Sequence, residues 1–310
     1  MIASRMSGSD WALLLLLAVL WGGSFFFVEI ILPELDPLTL VAARVVLAAL
    51  TLWALVPLGD AAVPRGWAVW SSFLVLGFLG NAVPFSLLAL GQTTIGAGLA
   101  SIFNATTPLF TALIAALALD DERMTRPRAI GIVLGFAGVV VMVGPNALAG
   151  LFDDVAAAIA CLGAAAAYGV TAVFARRFRR MGVAPRGIAL GQLTMSSVVM
   201  VPAAFLFAAP GALAALSPGA LAALLTLAIV STAIAYLIYF ALIERAGATS
   251  TSLVTFLVPA TAILLGVVVL GEELVAGEIV GMALILSGLV AIDGRLLARR
   301  PARPSPASPH

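Results

Sequence analysis

The sequence predicts an all-α polytopic membrane protein: ten transmembrane helices forming two inverted five-helix repeats around a central cavity. Three observations lead to the ten-helix membrane class: the composition, the length of the apolar runs, and the placement of arginine; an internal repeat adds the inverted halves. Of the 310 residues, 63% are hydrophobic and 10% charged, with a mean hydropathy of +1.17. Soluble domains carry about 25% charged residues. A water-exposed surface could not be covered with so few charges, so lipid is the solvent this chain fits.

Crossing a bilayer takes roughly 20 consecutive apolar residues as a helix. Ten such runs follow one another: Trp11–Leu32, Leu38–Leu58, Trp67–Leu90, Ile95–Leu119 and Ala129–Val143, then Val155–Ala175, Ile188–Phe207, Leu216–Ile243, Thr249–Leu270 and Val275–Ile292. They are called segments 1 to 10 below. The fifth is short. Barrel strands would instead alternate over about ten residues. The apolar run after Arg5 continues to Leu32 with no small-residue cleavage pattern, so it reads as a retained first helix and not as a signal peptide.

All 16 basic residues are arginine. With the N-terminus inside the cell, every arginine except Arg44 falls on the cytoplasmic side, and Arg44 lies within segment 2. The bias of cytoplasmic loops toward Lys and Arg sets membrane orientation. The expected location is the cell inner membrane, with both termini cytoplasmic. Trp11, Trp53, Trp67 and Trp70 fall near the cytoplasmic ends of segments, where indoles favour the interface. Residues 298–310 form an Arg/Pro/Ser-rich tail with too little apolar surface to fold.

An internal repeat divides the chain into residues 1–145 and 146–297. Pro108, ten apolar or small residues and Leu119-Asp120-Asp121-Glu122 parallel Pro259, ten apolar residues and Leu270-Gly271-Glu272-Glu273. Gly131 and Gly138 match Gly281 and Gly288, and Phe85 matches Tyr236. Five crossings per half is an odd number, so the halves insert with opposite orientations. Inverted repeats of this kind characterise transporters, whose halves rock about a site between them.

The stretch Leu20-Trp21-Gly22-Gly23-Ser24-Phe25, Arg44, the paired Pro108 and Pro259, and Gly271-Glu272-Glu273 resemble the EamA-type members of the drug/metabolite transporter superfamily. The likeness runs from about Trp11 to Leu297 and is nearest to amino-acid exporters of the YddG kind. Asp121-Glu122-Arg123 departs from the Gly-Glu expected there. The resemblance implies a cavity lined by segments 1, 3, 4, 6, 8 and 9, with segments 5 and 10 behind, and export of metabolites.

Candidate site residues are those at mid-membrane depth with polar or aromatic side chains, since an amide or phenol in hydrocarbon turns toward protein or water. Trp21, Ser24, Asn81, Phe85, Asn104, Tyr168, Thr232, Tyr236 and Ser252 form the expected substrate cavity. Asn81 and Phe85 lie one helical turn apart and share a face. For the hydroxyls, bonding within the bundle is the competing role. Pro84, Pro108 and Pro259 interrupt their helices, because proline lacks the N–H of the helical ladder. Paired interruptions in the two halves point to a binding site. Across the hairpin, Glu29 and Arg44 differ in depth by only about two residues, roughly 3 Å, and are expected to form a structural ion pair.

The expected guest is a zwitterionic or neutral amphiphile such as an aromatic or neutral amino acid, with other neutral metabolites or drugs as the alternative. No Asp, Glu or His sits at the midplane, which favours facilitated export over coupling through a buried carboxylate. Without Lys or a basic pair, phosphorylated sugars and nucleotides are poor guests. One cysteine, Cys161, and one histidine, His310, leave no cofactor or metal site and no nucleophile–base set for a membrane-embedded enzyme. A net charge of +1 suggests no nucleic-acid partner. The small-residue faces Gly131-x-x-x-Gly135 and Gly277-x-x-x-Gly281 are expected to pack within one chain, as a monomer, in preference to building a homodimer.

Overall fold

Helices occupy the described parts of the ten runs in the computed structural model, which describes residues 7–55, 65–118, 126–148, 152–246, 251, 254–271, 273 and 276–293. Segment 1 is the helix Gly8–Ile31. It opens on a capping box: the Ser7 hydroxyl accepts from Asp10 N, and the Asp10 carboxylate accepts from Ser7 N at 3.0 Å. Segment 2 is Pro37–Leu55, begun by Asp36, whose Oδ1 accepts from Thr39 N at 2.9 Å. Segments 5, 6, 7 and 10 are the uninterrupted helices Arg126–Leu148, Phe152–Arg180, Pro185–Phe207 and Ala276–Asp293. Segment 5 corrects the sequence reading. Its helix has 23 residues and extends beyond the apolar run at both ends.

The remaining segments are broken, each for a local reason. Segment 3 runs Trp67–Gly77, widens into a π-helical turn at Phe78–Ala82, and resumes as Val83–Gly91. Pro84, just past that turn, would clash with the carbonyl four residues earlier in a regular helix, and the wider turn absorbs the conflict. The carbonyl of Gly77, at the edge of the turn, accepts from Ser196 Oγ of segment 7 at 3.0 Å. Segment 4 stops at Asn104 and restarts at Thr107, with Pro108 in the first turn of the new helix. Hydroxyls cover the carbonyls at that break. Thr106 Oγ1 donates to Phe103 O at 2.6 Å, and Thr107 Oγ1 to Asn104 O at 2.7 Å. Segment 8 is Pro218–Leu225, a π-helical stretch Thr226–Ile234, and Ala235–Ala246. Segment 9 is Val254–Leu265, with Pro259 inside it, followed by the π-helical turn Gly266–Leu270.

Seven of these helical runs are long and apolar enough to cross a membrane. Shorter apolar stretches at Ala129–Gly138, Leu257–Leu270 and Ile279–Gly288 occupy segments 5, 9 and 10. The chain is a multi-pass helical membrane protein. Large apolar side chains on its outer surface, among them Leu117, Val133, Phe207 and Val268, are exposed, as lipid-facing groups should be.

The packing crosses between the halves. Segment 1 lies on segments 8 and 9, segment 6 on segments 3 and 4, segment 2 on segment 7, and segment 5 on segment 10. Small residues allow the close approaches. A Cβ on Gly22 would strike the Thr261 side chain, and one on Gly169 would strike Phe110 and Thr111. Likewise a Cβ on Gly138 would meet the Gly281 carbonyl, and one on Gly288 the Gly131 carbonyl. These contacts come in reciprocal couples. Moving Gly131 and Gly138 forward by 150 residues gives Gly281 and Gly288, so the 131–288 and 138–281 contacts exchange partners. The 22–261 and 169–110 contacts exchange at nearly the same spacing.

Two large apolar clusters fill the interior, and Tyr168 and Tyr239 pack against both. A smaller cluster holds Phe73 stacked on Phe178 at 4.9 Å.

Candidate functional site

The polar groups of the interior gather where segments 2, 3, 7 and 8 meet. The π-helical turn of segment 3 carries Asn81, which is fully buried. Its Oδ1 accepts from Gln192 Nε2 of segment 7 at 3.2 Å and from the Tyr236 hydroxyl of segment 8 at 3.4 Å, while its Nδ2 has no hydrogen-bond partner. The π-helical stretch of segment 8 carries Thr232, also buried. Thr232 Oγ1 accepts from Arg44 Nε of segment 2 at 2.9 Å and donates to the Leu227 carbonyl at 2.7 Å. That carbonyl lies five residues back, the spacing of a π turn. Ser231 beside it keeps a buried hydroxyl without a partner.

The two links form another reciprocal couple. Segment 2 reaches the π stretch of segment 8 through Arg44 and Thr232. Segment 7 reaches the π turn of segment 3 through Gln192 and Asn81. Thr232 follows Asn81 by 151 residues, and Gln192 follows Arg44 by 148. One link carries a full positive charge and the other is neutral.

The Arg44 guanidinium also lies over the Phe85 ring, 3.7 Å from its centroid, a cation–π contact that desolvation strengthens. Tyr168 and Tyr236 are within electrostatic reach of it. Trp21 meets Tyr236 edge-on at 6.4 Å and Tyr239 at 5.2 Å. Thus Arg44, Asn81, Phe85, Tyr168, Thr232, Tyr236 and Trp21 come together in one aromatic and polar core.

Other predicted residues fall elsewhere. Ser24 Oγ donates to its own helix, at Trp21 O, 2.6 Å. Asn104 sits at the break of segment 4 with its buried Oδ1 unpartnered. Pro84 and Pro259 are buried within their helices, and Pro108 is half-buried. Ser252 lies outside the described residues. The ion pair expected between Glu29 and Arg44 is not what the structure shows. Arg44 is held by Thr232 and Phe85, whereas Glu29 accepts from Gln92 Nε2 at 3.3 Å. The same Gln92 amide donates to Phe25 O at 2.9 Å. Depth matching located both charges at a similar level, but the arginine side chain reaches away from its own hairpin and across to segment 8.

Sequence reasoning also passed over Gln192, Gln92 and the end contacts of segment 1. Gln192 was open to the argument that singled out Asn81, since it is an amide within an apolar segment. At one end of segment 1, Arg245 Nε pairs with Asp10 Oδ1 at 3.1 Å, and Arg245 Nη2 donates to Ser9 Oγ at 3.0 Å. At the other end, Glu34 accepts from Ser217 N at 2.7 Å and Ser217 Oγ at 2.6 Å. The Ser217 hydroxyl, and then its backbone N–H, hold the exposed Glu34 carboxyl below its ordinary range. Segments 1 and 8 are therefore tied at both ends.

The pattern of the EamA-like transporter family matches residues 10–144 and again residues 155–292. The chain belongs to the EamA-like transporter family. Among the relatives of this EamA-like chain is a probable amino-acid metabolite efflux pump of Salmonella typhimurium, 28% identical over 97% of the chain and 100% of the relative. A protein of the same description from Escherichia coli is 26% identical over 92% of the chain and 94% of the relative. Protein PecM of Dickeya dadantii is 28% identical over 90% of the chain and 91% of the relative. A solved crystal structure shares the fold, with a TM-score of 0.66 at 21% identity, covering 95% of this chain and 100% of the other.

Proposed function

We propose that this EamA-like chain exports small amphiphilic metabolites, aromatic and neutral amino acids foremost, across the inner membrane by alternating access. Its two five-segment halves are inverted repeats with both termini cytoplasmic, and the substrate sits between them. The reciprocity of the buried links carries this reading. Arg44 to Thr232 and Gln192 to Asn81 join equivalent places in opposite halves, as self-complementary contacts do about a twofold axis. The glycine couples of segments 5 and 10 follow the same rule, as does the double match of the family pattern. Segment 1 packs on segments 8 and 9, segment 6 packs on segments 3 and 4, and segment 4 also meets segments 1 and 9, a pattern that supports a site between the halves. The Trp21, Tyr168, Tyr236 and Tyr239 rings supply an apolar wall, and the Asn81, Gln192 and Arg44 side chains supply fixed polar anchors. The names of the Salmonella and Escherichia relatives favour amino-acid metabolites as cargo.

Growth in the presence of toxic p-fluorophenylalanine tests the direction and the cargo together. Cells expressing the chain should tolerate the analogue and hold less of it, and a Tyr168→Ala protein present at equal level in the membrane should not protect. Equal analogue content with and without the chain would remove amino-acid export and leave a transporter of other cargo.

A further inference from the structure

Arg44 is an always-ionised side chain, only 8% exposed, and among the described residues no Asp or Glu forms an ion pair with it. Its Nε is taken by Thr232, and one face of the guanidinium lies on Phe85. The end-on pair Nη1 and Nη2 makes no hydrogen bond to a described residue. That pair is the fork that matches a carboxylate. An isolated charge at this depth is costly, and a ring face offsets only part of the cost. On segment 3, four residues before Phe85, Asn81 holds a second unused donor, Nδ2, at zero exposure. On the other side of the reciprocal couple the equivalent residue is the neutral Gln192, so the core has one cation and not two. The groups around it, Asn81, Gln192, Tyr168, Ser231, Thr232 and Tyr236, are all uncharged amides and hydroxyls and offer no counter-charge to an ammonium.

We infer that Arg44 anchors the carboxylate of the cargo, that the substrate class is a monocarboxylate with an apolar or aromatic body, and that the site does not read an amino group. This deepens, and rests on, the transport reading above. The carboxylate caps Nη1 and Nη2, and the body lies against the Trp21, Tyr236 and Tyr239 rings.

Calorimetric titration of the purified full chain in detergent tests this with three probes: 3-phenylpropionate, which has a carboxylate and no amine, phenethylamine, which has the reverse, and the dicarboxylate phenylsuccinate. Unaltered protein should bind 3-phenylpropionate at least about tenfold more tightly than either of the others. Arg44→Gln should weaken that binding by about 10–100-fold, and Arg44→Lys should restore part of it. Equal affinity for the three probes, no binding of 3-phenylpropionate, or undiminished binding to a folded Arg44→Gln protein would overturn the assignment. The comparison of probes on unaltered protein holds even where the variants fail to fold. Binding as expected without phenylalanine transport would sink the transport reading and keep the anchor. Phenylalanine transport without 3-phenylpropionate binding would do the reverse.

Discussion

Arg44 and Thr232, 188 positions apart in the chain, join the two halves of the molecule through a single 2.9 Å hydrogen bond. Thr232 can accept that bond because its own hydrogen is already committed to the Leu227 carbonyl, which the π-helical stretch of segment 8 leaves five residues behind. A break in one helix thus creates the acceptor for a buried cation from another.

Thr232→Val keeps the side-chain shape and removes the acceptor. The expected cost is about 1–2 kcal/mol, the range for a buried or interhelical hydrogen bond to a charged group. Thr232→Ser should retain most of the stability. Thermal unfolding of the purified proteins in detergent reads the difference, and coincident Val and Ser curves would show that the bond contributes nothing.

The close approach of segments 5 and 10 makes a steric prediction. Gly138→Ala and Gly288→Ala each push a methyl group against opposing backbone carbonyls, and backbone yields poorly. Each should destabilise by about 1–3 kcal/mol. Gly211→Ala, where a Cβ meets open space, should change stability by less than about 0.5 kcal/mol. The pair at the reciprocal contacts should behave alike.

Much of this interior was legible in the sequence, and its failures have physical causes. Asn81, Tyr168 and Tyr236 were singled out because amides and phenols are conspicuous among apolar helices; Asn81 and Tyr236 share a hydrogen bond, and Tyr168 lies within electrostatic reach of Tyr236. Pro108 marked the break in segment 4. The partner of Arg44 was misjudged because depth along a hairpin says nothing about which neighbour a long, flexible side chain will reach. The π-helical turns left no sequence mark beyond Pro84, since they are settled by tertiary packing. Gln192 shows a third limit. Its role is defined by Asn81, 111 residues away, and pairing across segments is invisible until the helices are placed.

Acid should loosen one end of the segment 1–segment 8 tie. Glu34 has its carboxyl held below the ordinary value of 4.5 by Ser217. Its stabilising effect is therefore complete above the unfolded-state pKa and is lost as pH falls through the lower folded-state value. Melting temperature measured from pH 7 down to pH 3 should fall more steeply for the unaltered protein than for Glu34→Gln. Parallel profiles would assign the acid sensitivity to other carboxylates.

Orientation is testable by labelling. In a Cys161→Ala background, Gly211→Cys, in the connection between segments 7 and 8, should react with a membrane-impermeant maleimide added to intact cells. Ala184→Cys, between segments 6 and 7, should react only after the membrane is opened. The reverse pattern would invert the topology argued from arginine.

Counterflow of labelled phenylalanine into proteoliposomes preloaded with unlabelled phenylalanine, with no ion gradient, tests the central claim most directly. Threonine serves as a second cargo, with empty liposomes and a Tyr168→Ala protein as controls. A carrier that alternates access without a midplane carboxylate to couple ions predicts transient accumulation of label, absent from empty liposomes and lost in the variant. No accumulation by correctly folded protein, or accumulation only when a proton or sodium gradient is imposed, would contradict it.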